Sequence, residues 1–134
     1  MADKRMFTKK ITESDKFLEM PVSAQALYFH LCMNADDDGF VNNPKCVMRG
    51  VGANEDDMKL LIAKGFIIAF ESGIIVVTHW KTHNYIAKDR YRPTIHEYEK
   101  SLLQENLGKA YILISAPIKN ENYEVSTVTA DLYT

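Results

Sequence analysis

Apolar positions recur along this chain with two periods, and the change from one to the other marks its organisation. Ala24, Leu27, Tyr28, Leu31 and Ala35 are spaced three and four apart, as on one buried helix face. Ser23 stands where an N-cap belongs, so the spacing predicts a helix from about Ala24 to Asn34. Ahead of it, Ser14 and Asp15 open a short helical stretch, Lys16–Met20. Pro21 ends that stretch, because the residue before a proline avoids helical backbone.

Asp36-Asp37-Asp38-Gly39 reads as a turn and Phe40-Val41 as a short extended piece. Pro44 suits the first position of a short helix reaching about Gly50, with Asn43 as its cap and Gly52 in the following turn. Asn54 caps the next helix. There Glu55, Asp56 and Asp57 favour the positive end of the macrodipole, Met58, Leu61 and Ile62 form the buried stripe, and Lys64-Gly65 closes the element. The period then falls to that of strands. Phe66–Phe70 and Ile74–Thr78, split by Glu71-Ser72-Gly73, predict a β-hairpin. Thr94 and Glu97 match a capping box for a helix near Ile95–Gln104, with Ile95, Tyr98 and Leu102 on its apolar side. Tyr111–Ile114 is expected to be ordered, and the polar residues from Lys119 onward to form a loose tail.

Helix, short strand, helix, turn, helix and hairpin, all between Ala24 and Thr78, follow the order of a winged helix. The expected fold is therefore α+β: a winged helix-turn-helix with a small antiparallel sheet, Asn54–Lys64 in the recognition position and an additional C-terminal helix. A plain α+β domain with the same elements is the alternative.

Composition changes this picture little. A chain of 134 residues, 46% hydrophobic and 25% charged, has room for one domain with a core and a short extension. No stretch approaches the roughly 18 to 20 apolar residues that span a bilayer. The N-terminus lacks the pattern of a secretory signal, so a cytoplasmic protein without membrane contact is expected. Cys32 and Cys46 sit in apolar contexts without metal-like spacing and are expected to be reduced and buried.

Charge matters more by position than by sum. The net charge of −2 argues against coating nucleic acid by bulk attraction. The flanks, however, are cationic: Lys4, Arg5, Lys9 and Lys10 at one end, and Lys81, Lys88, Arg90 and Arg92 after the hairpin, with an acidic middle between them.

Several runs, in one order, carry a family likeness: Met1-Ala2-Asp3-Lys4-Arg5-Met6-Phe7, then Ala26–Leu31, Ala35–Val41, Leu60–Lys64 and His79-Trp80. Together they resemble phage replisome organisers, and more narrowly their N-terminal domain, related to the DnaD-like primosome proteins of Gram-positive bacteria and their phages. The resemblance covers roughly residues 1–105, leaving 106–134 as a short, partly disordered C-terminal extension. It implies a winged-helix DNA-binding domain of a replication initiator, acting in origin binding and helicase-loader assembly. The partners it implies are DNA, duplex or single-stranded, other copies of the chain, and a helicase or its loader.

One physical feature redirects the expected contact. A recognition helix docks its N-terminal residues against DNA, but here that end reads Asn54-Glu55-Asp56-Asp57, which phosphates repel, and the wing tip carries Glu71. The DNA-binding candidates are therefore Lys81, Lys88, Arg90 and Arg92 for phosphates, and Tyr85 and Tyr91 for stacking. Lys4, Arg5, Lys9 and Lys10 join them from the N-terminus, and Lys59 from the outward face of the recognition helix. The alternative for Trp80–Arg92 is a solvated linker with Trp80 and Tyr85 packed on the sheet.

Phe29 and Met33, on a second flank of the Ala24–Asn34 helix, suggest an oligomer interface, because a helix apolar on more than one side needs further burial. The competing functions are thus a protein-protein oligomerisation module of the primosome and a winged-helix transcriptional regulator. Asn34, Asp36, Asp38 and Gly39 match the opening of a calcium loop, but Lys45 occupies its final glutamate position, leaving a plain acidic turn. His79 and His83 are four apart without a third ligand at suitable spacing, and His30 lies beside a core stripe. No phosphate loop, nucleophile elbow or acid pair is recognisable, so neither enzymatic activity, cofactor nor metal is expected.

Overall fold

The helical stripe from Ala24 onward folds as expected and becomes the element on which the others pack. The computed structural model describes residues 4–114. Two single-turn helices, α1 (Lys9–Thr12) and α2 (Asp15–Leu18), precede α3 (Val22–Met33). The side chain of Ser14 caps α2 by accepting from the Phe17 amide. Helix α3 starts earlier than expected, because Pro21 occupies the N-cap position. Ser23 lies inside the helix and donates to Asp57 Oδ1 at 2.9 Å.

After β1 (Phe40–Val41) come α4 (Pro44–Val51) and α5 (Glu55–Ala63), both packed against α3. Gly52, with φ of +84°, ends α4 in the left-handed conformation that glycine adopts without a Cβ penalty. The capping box of α5 is complete. Asn54 accepts from the Asp57 amide at 2.9 Å, and Asp57 accepts from the Asn54 amide at 3.0 Å.

The expected hairpin is formed by β2 (Ile67–Ala69) and β3 (Ile75–Val77). Strand β1 adds to its far side, giving an antiparallel sheet of order β1-β3-β2. Phe40 pairs with Val76, and Ile68 pairs with Val76 from the other side. Strand β3 is buried along its length, as expected of a central strand between a sheet neighbour on each side and helices beneath. The core joins Phe17, Leu27, Tyr28, Leu31, Leu61, Phe66, Ile67, Val76, Val77 and Trp80. Its aromatic rings meet edge to face, with Phe17 5.3 Å from Tyr28 and 5.5 Å from Phe66 between centroids.

Beyond the hairpin the chain departs from expectation. Trp80–His83 forms a helical turn, α6. The C-terminal helix α7 covers only Glu97–Ser101, and β4 (Leu103–Glu105) follows it immediately. Thr94 does not cap α7; its hydroxyl donates to Asp36 and accepts from the His96 amide. Strand β4 pairs with β5 (Tyr111–Leu113), so this hairpin crosses the boundary expected at 105/106. Tyr111 is buried, its amide donating to the Thr78 carbonyl, which makes the chain up to Leu113 part of the same packed unit. The expected tail from Lys119 onward lies outside the described residues. The protein is thus α+β, mixed helices with two small antiparallel sheets. Among the described residues, no helix is long and apolar enough to cross a membrane.

Candidate nucleic-acid interface

The turn Asp36-Asp37-Asp38-Gly39 organises the region that follows the hairpin. Asp36 Oδ1 accepts the amides of Asp38 and Phe40, both at 2.9 Å, which closes the turn locally. Gly39 has φ of +91°, and a Cβ there would lie 2.7 Å from Trp80, so only glycine lets the indole pack on the turn. Trp80 in turn donates from Nε1 to the Asp37 carbonyl at 2.9 Å.

All three carboxylates then reach across to chain more than fifty residues away. Asp37 Oδ2 accepts the Arg92 amide at 3.0 Å, and Asp38 Oδ2 accepts the Thr94 amide at 2.9 Å. The Tyr91 hydroxyl lies 2.7 Å from Asp38 Oδ2 and 2.9 Å from Oδ1. Lys100 Nζ donates to Tyr91 at 3.1 Å and to Asp38 Oδ1 at 3.3 Å, and Tyr111 donates to the Asp38 carbonyl at 2.8 Å. Asp38, only 1% exposed, is therefore a buried carboxylate whose charge is met by donors on several sides. Partial burial and the hydrogen bond to Asp38 raise the Tyr91 hydroxyl above its ordinary pKa. Burial would lower Lys100, but Tyr91 and Asp38 outweigh it and leave the ammonium raised. Lys100 is thus charged and Tyr91 neutral across the ordinary pH range.

The N-terminal segment is fastened to the same place. Arg5 donates to the Ala35 carbonyl at 2.7 Å, sits 3.4 Å from Asp37 Oδ1 and stacks 4.9 Å from the Trp80 ring centroid. The Met6 amide donates to Asn84 Oδ1 at 2.8 Å, and the Thr8 amide to His83 Nδ1 at 3.0 Å. Because Nδ1 accepts, the proton of neutral His83 belongs on Nε2, facing the Tyr28 hydroxyl at 2.7 Å. Burial first, and His79 second, lower His83 to a pKa of about 4. Burial also pushes the Cys32 thiol up to about 12.

Between the turn, the N-terminal segment and residues 84–96 runs an open groove of about 840 Å³. Tyr85, Ile95, Arg90, Arg92 and Lys4 line it, with Asn84 and Asn42 among its polar groups. Residues 87–91 make one tight turn, with the Arg90 and Tyr91 amides both donating to the Ala87 carbonyl. Lys88, Arg90 and Arg92 are exposed, and no carboxylate among the described residues lies within ion-pair distance of them.

No family model, no curated protein and no solved structure matches the chain. The family expectation consequently stands on the motifs in the sequence, and the site on its geometry.

That geometry divides the expected residues. Arg90, Arg92, Tyr85 and Lys4 come together around the groove, and Lys88 lines a smaller neighbouring depression that shares Tyr85 with it. Arg5 does not belong with them, since its side chain is 3% exposed and its charge is held by Asp37 and Trp80. Tyr91 is an anchor, with its hydroxyl fixed on Asp38. Lys81 pairs with Glu105 and lies over the Tyr111 ring. Lys9 and Lys10 are exposed on α1 and Lys59 on α5, outside the groove. Of the two packing expectations for the linker, Trp80 is buried, whereas Tyr85 is 80% exposed.

The expected oligomer flank is also divided. Phe29 is covered by Phe7 and Phe17 of its own chain, at 5.0 and 5.6 Å between centroids, while Met33 remains exposed. Cys46 is exposed on α4, contrary to expectation, because it faces away from the stripe of Val47 and Met48. Among the described residues no cluster of three His, Cys, Asp or Glu is arranged to hold a metal ion. Sequence reasoning missed the anchoring role of Asp36–Asp38 and the exposure of Ile95.

Proposed function

We propose that the chain is a winged-helix DNA-binding domain of the phage replisome-organiser kind, and that it contacts DNA through residues 84–92. The order of α3, β1, α4, α5 and the β2-β3 hairpin, with its β1-β3-β2 sheet, supports the winged-helix reading. The observation that carries the contact is the combination of unpaired Lys88, Arg90 and Arg92 with exposed Tyr85, on backbone tied down by the acidic turn. Cations on a fixed frame attract phosphates without the entropy of ordering a loose arm, and the ring offers a stacking face.

A duplex-reading transcriptional regulator is less well supported. Glu55 and Asp56 are exposed at the N-terminus of α5, where such a protein meets base edges. Assembly into oligomers with a helicase or loader as partner goes with the replisome-organiser proposal, with Met33 as the exposed part of the expected flank.

Fluorescence anisotropy with a labelled oligonucleotide tests the proposal. Arg90→Ala with Arg92→Ala is expected to weaken binding roughly tenfold at low salt, and Lys59→Ala to leave it nearly unchanged. The reverse pattern would assign the contact to the recognition helix.

A further inference from the structure

The groove carries more than cations, and its other features indicate which form of DNA it takes. Tyr85 and Ile95 both line it, and each is 80% exposed, although an apolar side chain gains by burial. Its volume of about 840 Å³ falls in the range of roughly 300–1,000 Å³ that suits a small organic ring system with its substituents.

The carboxylates nearby do not close the site to a polyanion. Asp36 is held by the Asp38 and Phe40 amides and Thr94, and Asp37 by Arg5 and the Arg92 amide. Asp89 is the exposed carboxylate of the lining, set against exposed Lys4, Arg90 and Arg92.

A duplex presents phosphates outward and keeps its bases stacked and paired inside, so it would leave Tyr85 and Ile95 without counterparts. An unpaired nucleotide supplies what they lack, a flat ring to stack on, and brings its own phosphates to the neighbouring cations. We infer that the groove seats an unpaired base of single-stranded DNA against Tyr85, with adjoining phosphates on Arg90 and Arg92 and, from the neighbouring depression, on Lys88. This rests on the DNA-binding reading above and specifies the strand. Few cations are engaged, so the salt dependence is shallow. With Lys4 included, the slope of log affinity against log salt is no steeper than about −3, and base stacking carries much of the selectivity.

Three labelled probes test the inference on the full chain: a 15-nucleotide thymidine strand, the same length of abasic strand, and a 15-base-pair duplex. The thymidine strand is expected to bind about tenfold tighter than either of the others. Tyr85→Ala should bring it down to the abasic level, while Tyr85→Phe, which keeps the ring, should retain most of the affinity. Because Tyr85 is so exposed, thermal melting of both variants should match the parent. Equal binding of thymidine and abasic strands, or equal binding of strand and duplex with no effect of Tyr85→Ala, would overturn the base site while leaving DNA binding intact. If Arg90→Ala with Arg92→Ala weakens the binding of no probe, the DNA-binding reading fails along with it.

Discussion

Two acidic triplets lie in this chain less than twenty residues apart, and they do opposite work. In Glu55-Asp56-Asp57, only Asp57 is buried, and it serves its own helix by completing the cap with Asn54 and receiving Ser23 from α3. Glu55 and Asp56 point to solvent and leave the end of α5 negative. In Asp36-Asp37-Asp38, all three carboxylates are drawn inward by donors from Arg5, Tyr91, Arg92, Thr94 and Lys100. Identical formal charge thus repels phosphate at one place. At the other it holds in position the cationic segment that would attract phosphate. Charge read from sequence indicates sign, whereas the partners determine its consequence.

Removing one carboxylate from each triplet makes the contrast measurable. Asp38→Ala strips the Thr94 amide, Tyr91 and Lys100 of their acceptor in a buried place, and is expected to cost about 3 kcal/mol in urea denaturation. Asp56→Ala should change stability by less than about 0.5 kcal/mol. Similar costs for the two would dissolve the distinction.

The cations divide the same way, and Arg5 provides the next largest effect. Arg5→Ala takes the guanidinium from the Ala35 carbonyl and from Asp37 Oδ1 and removes the stack on Trp80, an expected loss of about 2 kcal/mol. Arg5→Lys should recover little of this, since an ammonium cannot make both the fork and the stack. Lys9→Ala with Lys10→Ala should leave the denaturation midpoint in place. If Arg5→Ala were equally silent, the N-terminal segment would not be fastened to the turn.

A pH series sharpens the account of that segment. His83 is held neutral, with its pKa lowered from 6.5 to about 4, so between those values the unfolded chain binds the extra proton. The contribution is therefore fully present above pH 6.5 and declines as pH falls toward 4. The expected loss by pH 4.5 is about 2 kcal/mol, from the differential proton binding. His83→Gln should flatten this part of the profile, and an unchanged profile would mean that the imidazole titrates normally.

How much of this was legible in the sequence follows from how far each partner lies. The cap at Asn54 and the β2-β3 hairpin depend on residues within a few positions of each other, and both were readable. Thr94 and Glu97 have capping-box spacing, yet Asp36 and the Asp38 carboxylate claim Thr94 from across the fold. A local pattern carries no sign of such a competitor. Arg5, Tyr91 and Lys81 read as contact residues in the sequence because charge and ring are visible there and burial is not. Lys88, Arg90, Arg92 and Tyr85 kept their expected exposure, since no partner in the described fold takes them. Strand β4 was hidden for another reason: its Leu103-Gln104-Glu105 is short and polar, and it becomes a strand only by pairing with Tyr111–Leu113.

The central claim is that DNA meets the segment held by Asp36–Asp38 and not the helix tip bearing Glu55 and Asp56. Salt titration of single-stranded oligonucleotide binding, comparing the parent with Arg90→Ala/Arg92→Ala, tests it most directly. Loss of two phosphate contacts should make the slope of log affinity against log salt shallower by about 1.4, at roughly 0.7 per contact on a single strand. Parallel lines for parent and variant would contradict the account.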